Sequence, residues 1–127
     1  MATFARFEEI DAWQNGRRLV KTVYVLTARK PFSLDNGLRN QLQRAAISIC
    51  SNIAEGHGRR GNREFINFLW IAKGSASEVA SQLYHAKDLG YITDEEMKGT
   101  YDLVMLISAE LFSLIKYLSD HQNITKV

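Results

Sequence analysis

Residues 37–60, GLRNQLQRAAISICSNIAEGHGRR, decide how this chain folds. At about 100° per residue, Leu38, Leu42, Ala45, Ile49 and Ile53 fall on one stripe, with Asn40, Arg44, Ser48, Ser51 and Glu55 on the opposite one. That is the pattern of an amphipathic bundle helix. Ile47, Cys50 and Ala54 form a further apolar strip beside the polar one, which a single chain leaves partly in water. A second buried contact is expected there. Gly56 is the expected stop of this helix, and a basic loop, His57 to Arg63, follows it at once.

Three more helices are predicted outward from this one, giving approximate spans of 9–28, 35–56, 62–89 and 94–119. The first places Trp13, Val20, Val23, Tyr24 and Thr27 on one side and Arg17, Arg18 and Lys21 toward the other, and Pro31 stops it. Residues Ser33 to Asn36 can cap the second. Asn62 is the expected cap of the third and Gly90 its left-handed terminator. The opening of that third helix, Phe65 to Ala72, is apolar almost all the way round, which calls for burial on more than one side. Its Gly74-Ser75-Ala76-Ser77 run suits a close backbone approach. Thr93-Asp94-Glu95-Glu96 is a capping box, after which Met97, Tyr101, Val104, Ile107, Leu111, Leu114 and Leu118 repeat at spacings of four and three. Short connections between four long helices predict an all-α, antiparallel up-down-up-down four-helix bundle in one domain, residues 1–127. The tail from about His121 to Val127 is expected to fray.

With 127 residues, 46% hydrophobic and 24% charged, the chain can build one ordinary core. Its net charge of +2 hides an asymmetry: residues 1–63 hold 11 Lys or Arg against 5 Asp or Glu, and residues 64–127 hold 5 against 9. A positive face for phosphates and complementary patches joining copies of the chain are both compatible with this division. The single cysteine, Cys50, rules out an intrachain disulfide framework and reads as a small buried hydrophobe. No signal-peptide core is visible in MATFARFEEIDAW, and Leu103 to Leu118 is too short and too interrupted to span a bilayer. A soluble cytoplasmic protein is expected.

Chemistry is sparse. Bundles that hold two metals need Glu-x-x-His pairs on facing helices, which are absent, and His57, His85 and His121 are scattered. No metal and no cofactor is expected. Glu55 and His57, with Arg59, Arg60 and Arg63 nearby, sketch a metal-independent nuclease, but no second acid or base stands at a set spacing. The Arg-x-x-x-x-His pattern of a large class of helical RNases is missing too. The arginines themselves are the better candidates. Arg59, Arg60 and Arg63 lie within five residues, and Arg39, Arg44, Arg17 and Arg18 come from neighbouring helices. Guanidinium groups bind phosphate in bidentate fashion without reading sequence. The same groups could instead pair with Glu55, Glu64, Glu78 or the acidic half of a neighbouring copy. Trp13, Phe65, Phe68 and Trp70 could stack bases, although their helical spacing favours packing.

Several segments together resemble a known family: Phe7 to Gln14, Gly37 to Ala46, Ser48-Ile49, Ser51 to Gly56, Phe65 to Phe68, Ala72 with Gly74-Ser75, Glu78 and Leu89 to Ile92. They are similar to the bacterial four-helix-bundle proteins encoded in intervening sequences of 23S ribosomal RNA genes, and to accessory variability proteins of diversity-generating retroelements. The likeness covers about residues 4–118. It implies a homopentameric ring and, for the retroelement relatives, a positive surface that engages nucleic acid and a reverse transcriptase. It implies no catalytic residues. The Lys30 to Asn36 connection departs from the family form, with the proline placed before the phenylalanine.

These readings converge on a non-enzymatic homo-oligomeric bundle that binds RNA or DNA backbone through Arg39, Arg44, Arg59, Arg60 and Arg63. Its expected interface residues are Ile47, Cys50, Ala54, Phe65, Ile66 and Trp70. A protein-interaction scaffold without nucleic-acid binding is the alternative, and a nuclease the lesser one.

Overall fold

The computed structural model describes residues 4–121, so of the tail from His121 to Val127 only His121 falls within it. Four helices, α1 (Asp11–Thr27), α2 (Asn36–His57), α3 (Gly61–Asp88) and α4 (Asp94–His121), are preceded by a 3-10 turn at Phe7–Glu9, and a second 3-10 turn at Phe32–Leu34 separates α1 from α2. Each helix packs on its neighbours in sequence, and α1 closes against α4. The result is the up-down four-helix bundle that the spacing predicts.

Local chemistry explains most of the boundaries. The Asp35 carboxylate accepts the Leu38 amide at 3.0 Å and caps α2. Its other oxygen accepts the Tyr91 hydroxyl at 2.9 Å, and Tyr91 stacks on buried Phe32 at 4.8 Å, so the α1–α2 and α3–α4 connections are joined at one end of the bundle. The Leu38 and Tyr91 bonds hold the Asp35 carboxyl below its usual range. The capping box forms as expected, Thr93 N to Glu96 Oε1 at 3.0 Å and Glu96 N to Thr93 Oγ at 3.1 Å. Gly90 takes φ +77°, which L side chains avoid.

Three expectations are corrected. Gly56 does not stop α2, which runs on to His57. A Cβ at Gly56 would lie 2.6 Å from the Phe68 Cβ and 3.0 Å from Phe65 Cδ1, so the glycine is there to let α2 and α3 approach. Asn62 is not the cap of α3: the helix starts at Gly61, with φ +78°, and Arg60 before it supplies no side-chain cap. In α1 the buried stripe is Ala12, Gly16, Leu19, Val23, Leu26 and Thr27, while Tyr24 is exposed and Trp13 and Val20 are half-buried. Gly16 turns inward where α2 passes close, since a Cβ on it would meet Cys50 Sγ at 2.8 Å, and Ala12 lies beside α4.

Elsewhere the core follows the sequence pattern. Leu42, Ile49, Ile53, Leu69, Leu83, Ile107 and Leu111 are fully buried, each side chain stabilising the fold by about 1.5–3 kcal/mol relative to exposure. Tyr101, expected in the α4 core stripe, is only half-buried; Thr100 and Ile115 are buried instead. Of the expected packing run Gly74 to Ser77 only Ser75 and Ala76 face inward, Ser75 Oγ donating to Ser48 Oγ at 2.9 Å; Gly74 and Ser77 are exposed, with nothing within 4 Å of a Cβ on Gly74.

Candidate nucleic-acid interface

The α2–α3 corner is short because α2 extends to His57 and α3 begins at Gly61. His57 is held by a 2.8 Å bond between Nε2 and the Phe4 carbonyl, and its ring meets Phe65 edge-on at 5.9 Å. Glu55 is engaged as well: Arg59 Nη2 donates to Glu55 Oε2 at 2.8 Å, while the same guanidinium reaches Glu64 at 3.9 Å and lies 5.1 Å over the Phe68 ring. Arg59 thus has an ion-pair partner within the chain while its side chain stays 46% exposed. Arg60 and Arg63 are exposed and, among the described residues, make no hydrogen bond or ion pair. Arg60 precedes and Arg63 lies in the first turn of α3, whose amides carry no side-chain cap and whose macrodipole adds positive potential. The N-terminal segment adds Arg6 to this end of the molecule, paired with Glu8 at 2.7 Å; sequence order alone hides that proximity.

The five candidate arginines do not form one patch. At 1.5 Å per residue, Arg44 lies about 20 Å and Arg39 about 27 Å along α2 from His57. Arg39 is turned back to the Ser33 carbonyl and to Asn40, where it braces the connection before α2. Arg44 is exposed, unpaired among the described residues, and beside a cleft between α2 and α3.

The six candidate interface residues divide between two sides. Ile47, Cys50 and Ala54 lie on the α1–α2 side, where Ile47 is 41% exposed and the Cys50 thiol donates to the Trp13 carbonyl at 3.6 Å. Burial pushes the Cys50 thiol up to about 11. Arg17 covers the Trp13 ring at 5.8 Å. Trp70 lies on the opposite α3–α4 side, 48% exposed and edge-on to exposed Phe112 at 6.4 Å. Ile66 is half-buried. Phe65 is packed inside the chain at 7% exposure and has little surface to offer. Sequence reasoning missed the remainder of the α3–α4 apolar face: Met105, Phe112 and the Tyr84–Tyr101 pair at 5.7 Å. The spacing of 101, 105 and 112 along α4 was the available signal.

Among the described residues no group of three His, Cys, Asp or Glu is placed to hold a metal, and no helix is long and apolar enough to cross a membrane.

A closed antiparallel bundle with short connections and a basic corner defines the class of protein. Residues 8–113 match the 23S rRNA-intervening sequence protein family, and the chain belongs to it. Among solved structures it is similar to a protein of unknown function from the S23 ribosomal protein family of Bacteroides thetaiotaomicron. The two share 25% identity and a TM-score of 0.75, over 83% of this chain and 95% of that one. No curated protein matches in sequence.

Proposed function

We propose that this protein is a non-enzymatic, homo-oligomeric bundle that binds the backbone of RNA or DNA at the α2–α3 corner. The observation that carries the reading is the pair Arg60 and Arg63, exposed, free of carboxylates among the described residues, and set on an uncapped helix start. Phosphate oxygens satisfy both the guanidinium groups and the free amides. Arg59, already tied to Glu55, shapes the corner instead of reaching outward.

Self-association is supported by two half-exposed apolar faces on opposite sides of the bundle. Arg17 covers Trp13 on the α1–α2 side, while on α3 and α4 the carboxylates of Asp94 and Asp102 are paired with Lys87 and Lys98. Two different apolar faces on opposite sides favour head-to-tail contacts, which close into rings when the rotation permits. A ring repeats the weak basic corner and multiplies its avidity.

A gel-shift titration against single- and double-stranded RNA and DNA tests the reading. Binding that weakens steeply with salt is expected. Absence of binding at low salt, or binding untouched by joint Arg60→Ala and Arg63→Ala replacement, overturns it.

A further inference from the structure

The seam between α2 and α3 is a polar ladder with one rung open. Ser48 pairs with Ser75 at 2.9 Å, and Gln41 with Gln82 at 3.4 Å. In this antiparallel register Arg44 stands opposite Glu78, midway between the closed rungs. They form no ion pair, and neither bonds to any other described residue. A cleft of about 410 Å³ lies there, lined by both together with Gln41, Ala45, Ser48 and Gln82. Its size falls within the range of ligand sites. Gln82 is only 9% exposed, and its Oε1 has no hydrogen-bond partner among the described residues, a costly state for a buried oxygen.

A ligand for this cleft must offer paired acceptors to a guanidinium and paired N–H donors to a carboxylate a short distance away. Guanine has both. Its O6 and N7 match the planar fork of arginine, and its N1–H and one N2–H match a carboxylate. The second N2–H is a donor for the Gln82 oxygen, which the bond from Gln82 Nε2 to Gln41 leaves free. Adenine, with no donor at N1, leaves the carboxylate facing a lone pair. Bases in single strands expose these edges, whereas duplex RNA hides them. We propose that the α2–α3 cleft holds an unpaired guanine between Arg44 and Glu78. This rests on the reading that the protein meets RNA or DNA, and it adds base preference, away from the corner, to a protein whose corner grips only backbone.

The test compares fluorescence anisotropy of a short oligouridine bearing one central guanosine with the same strand bearing adenosine. A preference for guanosine of about tenfold is expected, the range for one good bidentate contact. Glu78→Gln should erase the preference while leaving the weaker affinity for plain oligouridine, because an amide offers one acceptor and one misplaced donor. Joint Arg60→Ala and Arg63→Ala should weaken both strands alike and preserve the ratio. Equal binding of the two strands overturns the proposal, as does a lower oligomer mass in Glu78→Gln, which would assign the cleft to a neighbouring copy. If no strand binds, GMP and AMP are titrated by NMR. Shifts at Gln82 and Ala45 with GMP alone uphold the cleft and sink only the backbone reading; no difference between the two nucleotides sinks the cleft.

Discussion

Arg29 and Glu96 form a two-bonded ion pair, Nη1 to Oε2 at 2.6 Å and Nη2 to Oε1 at 2.8 Å, which ties the region just after α1 to the first turn of α4. Glu96 also accepts the Thr93 amide, so one carboxylate closes the bundle and caps a helix. The Arg29 bonds, and then the Thr93 amide, lower its pKa from 4.5 to about 2. The folded value lies below the unfolded one. The stabilisation is therefore complete above pH about 4.5 and disappears as pH falls through about 2. Urea midpoints across that window should fall more steeply for the wild type than for Glu96→Ala.

Arg29→Ala should cost less than Glu96→Ala. The arginine is 46% exposed, which limits the pair to about 1 kcal/mol or less after solvent screening. Removing Glu96 also strips a helix cap, for a total of about 1–2 kcal/mol. Equal destabilisation in denaturant melts would mean that the cap contributes nothing.

Gly56→Ala and Gly74→Ala should move stability in opposite directions. The first drives a Cβ into Phe68 and Phe65 in a packed seam and should cost about 1–3 kcal/mol or more. At Gly74 nothing lies within 4 Å, so alanine should add up to about 1 kcal/mol of helix propensity. Thermal melts of the two variants decide the point.

Arg39→Ala should lower stability and leave nucleic-acid affinity almost unchanged, since its guanidinium braces Ser33 and Asn40. Arg63→Ala should do the reverse. Taking away one arginine that neutralises a phosphate should reduce the salt slope of binding by about 1. A reduced slope in Arg39→Ala would return that residue to the binding surface.

Trp70→Glu should lower the oligomer mass in light scattering while circular dichroism stays helical. Trp70 and Phe112 form an exposed aromatic pair, and a charge set into a buried interface is strongly unfavourable. An unchanged mass would remove the α3–α4 face from the assembly.

Much of this architecture is legible in the chain because its determinants are local. The four helices, the Thr93–Glu96 box, the Gly90 terminator and the core stripe of α2 all follow from spacings of three and four residues, which fix a helix face without knowledge of its neighbours. Tertiary structure decided what depends on how helices meet. It turned Tyr24 outward and Gly16 inward, and it made Gly56 a point of close approach instead of a stop. It separated Arg39 and Arg44 from the corner arginines, and it buried Phe65 while leaving Trp70 in solvent. The open Arg44–Glu78 rung exists only because α2 and α3 pack in one antiparallel register. Periodicity assigns residues to faces; close packing of side chains from distant positions selects which faces touch, how near, and which charged groups are left for a partner.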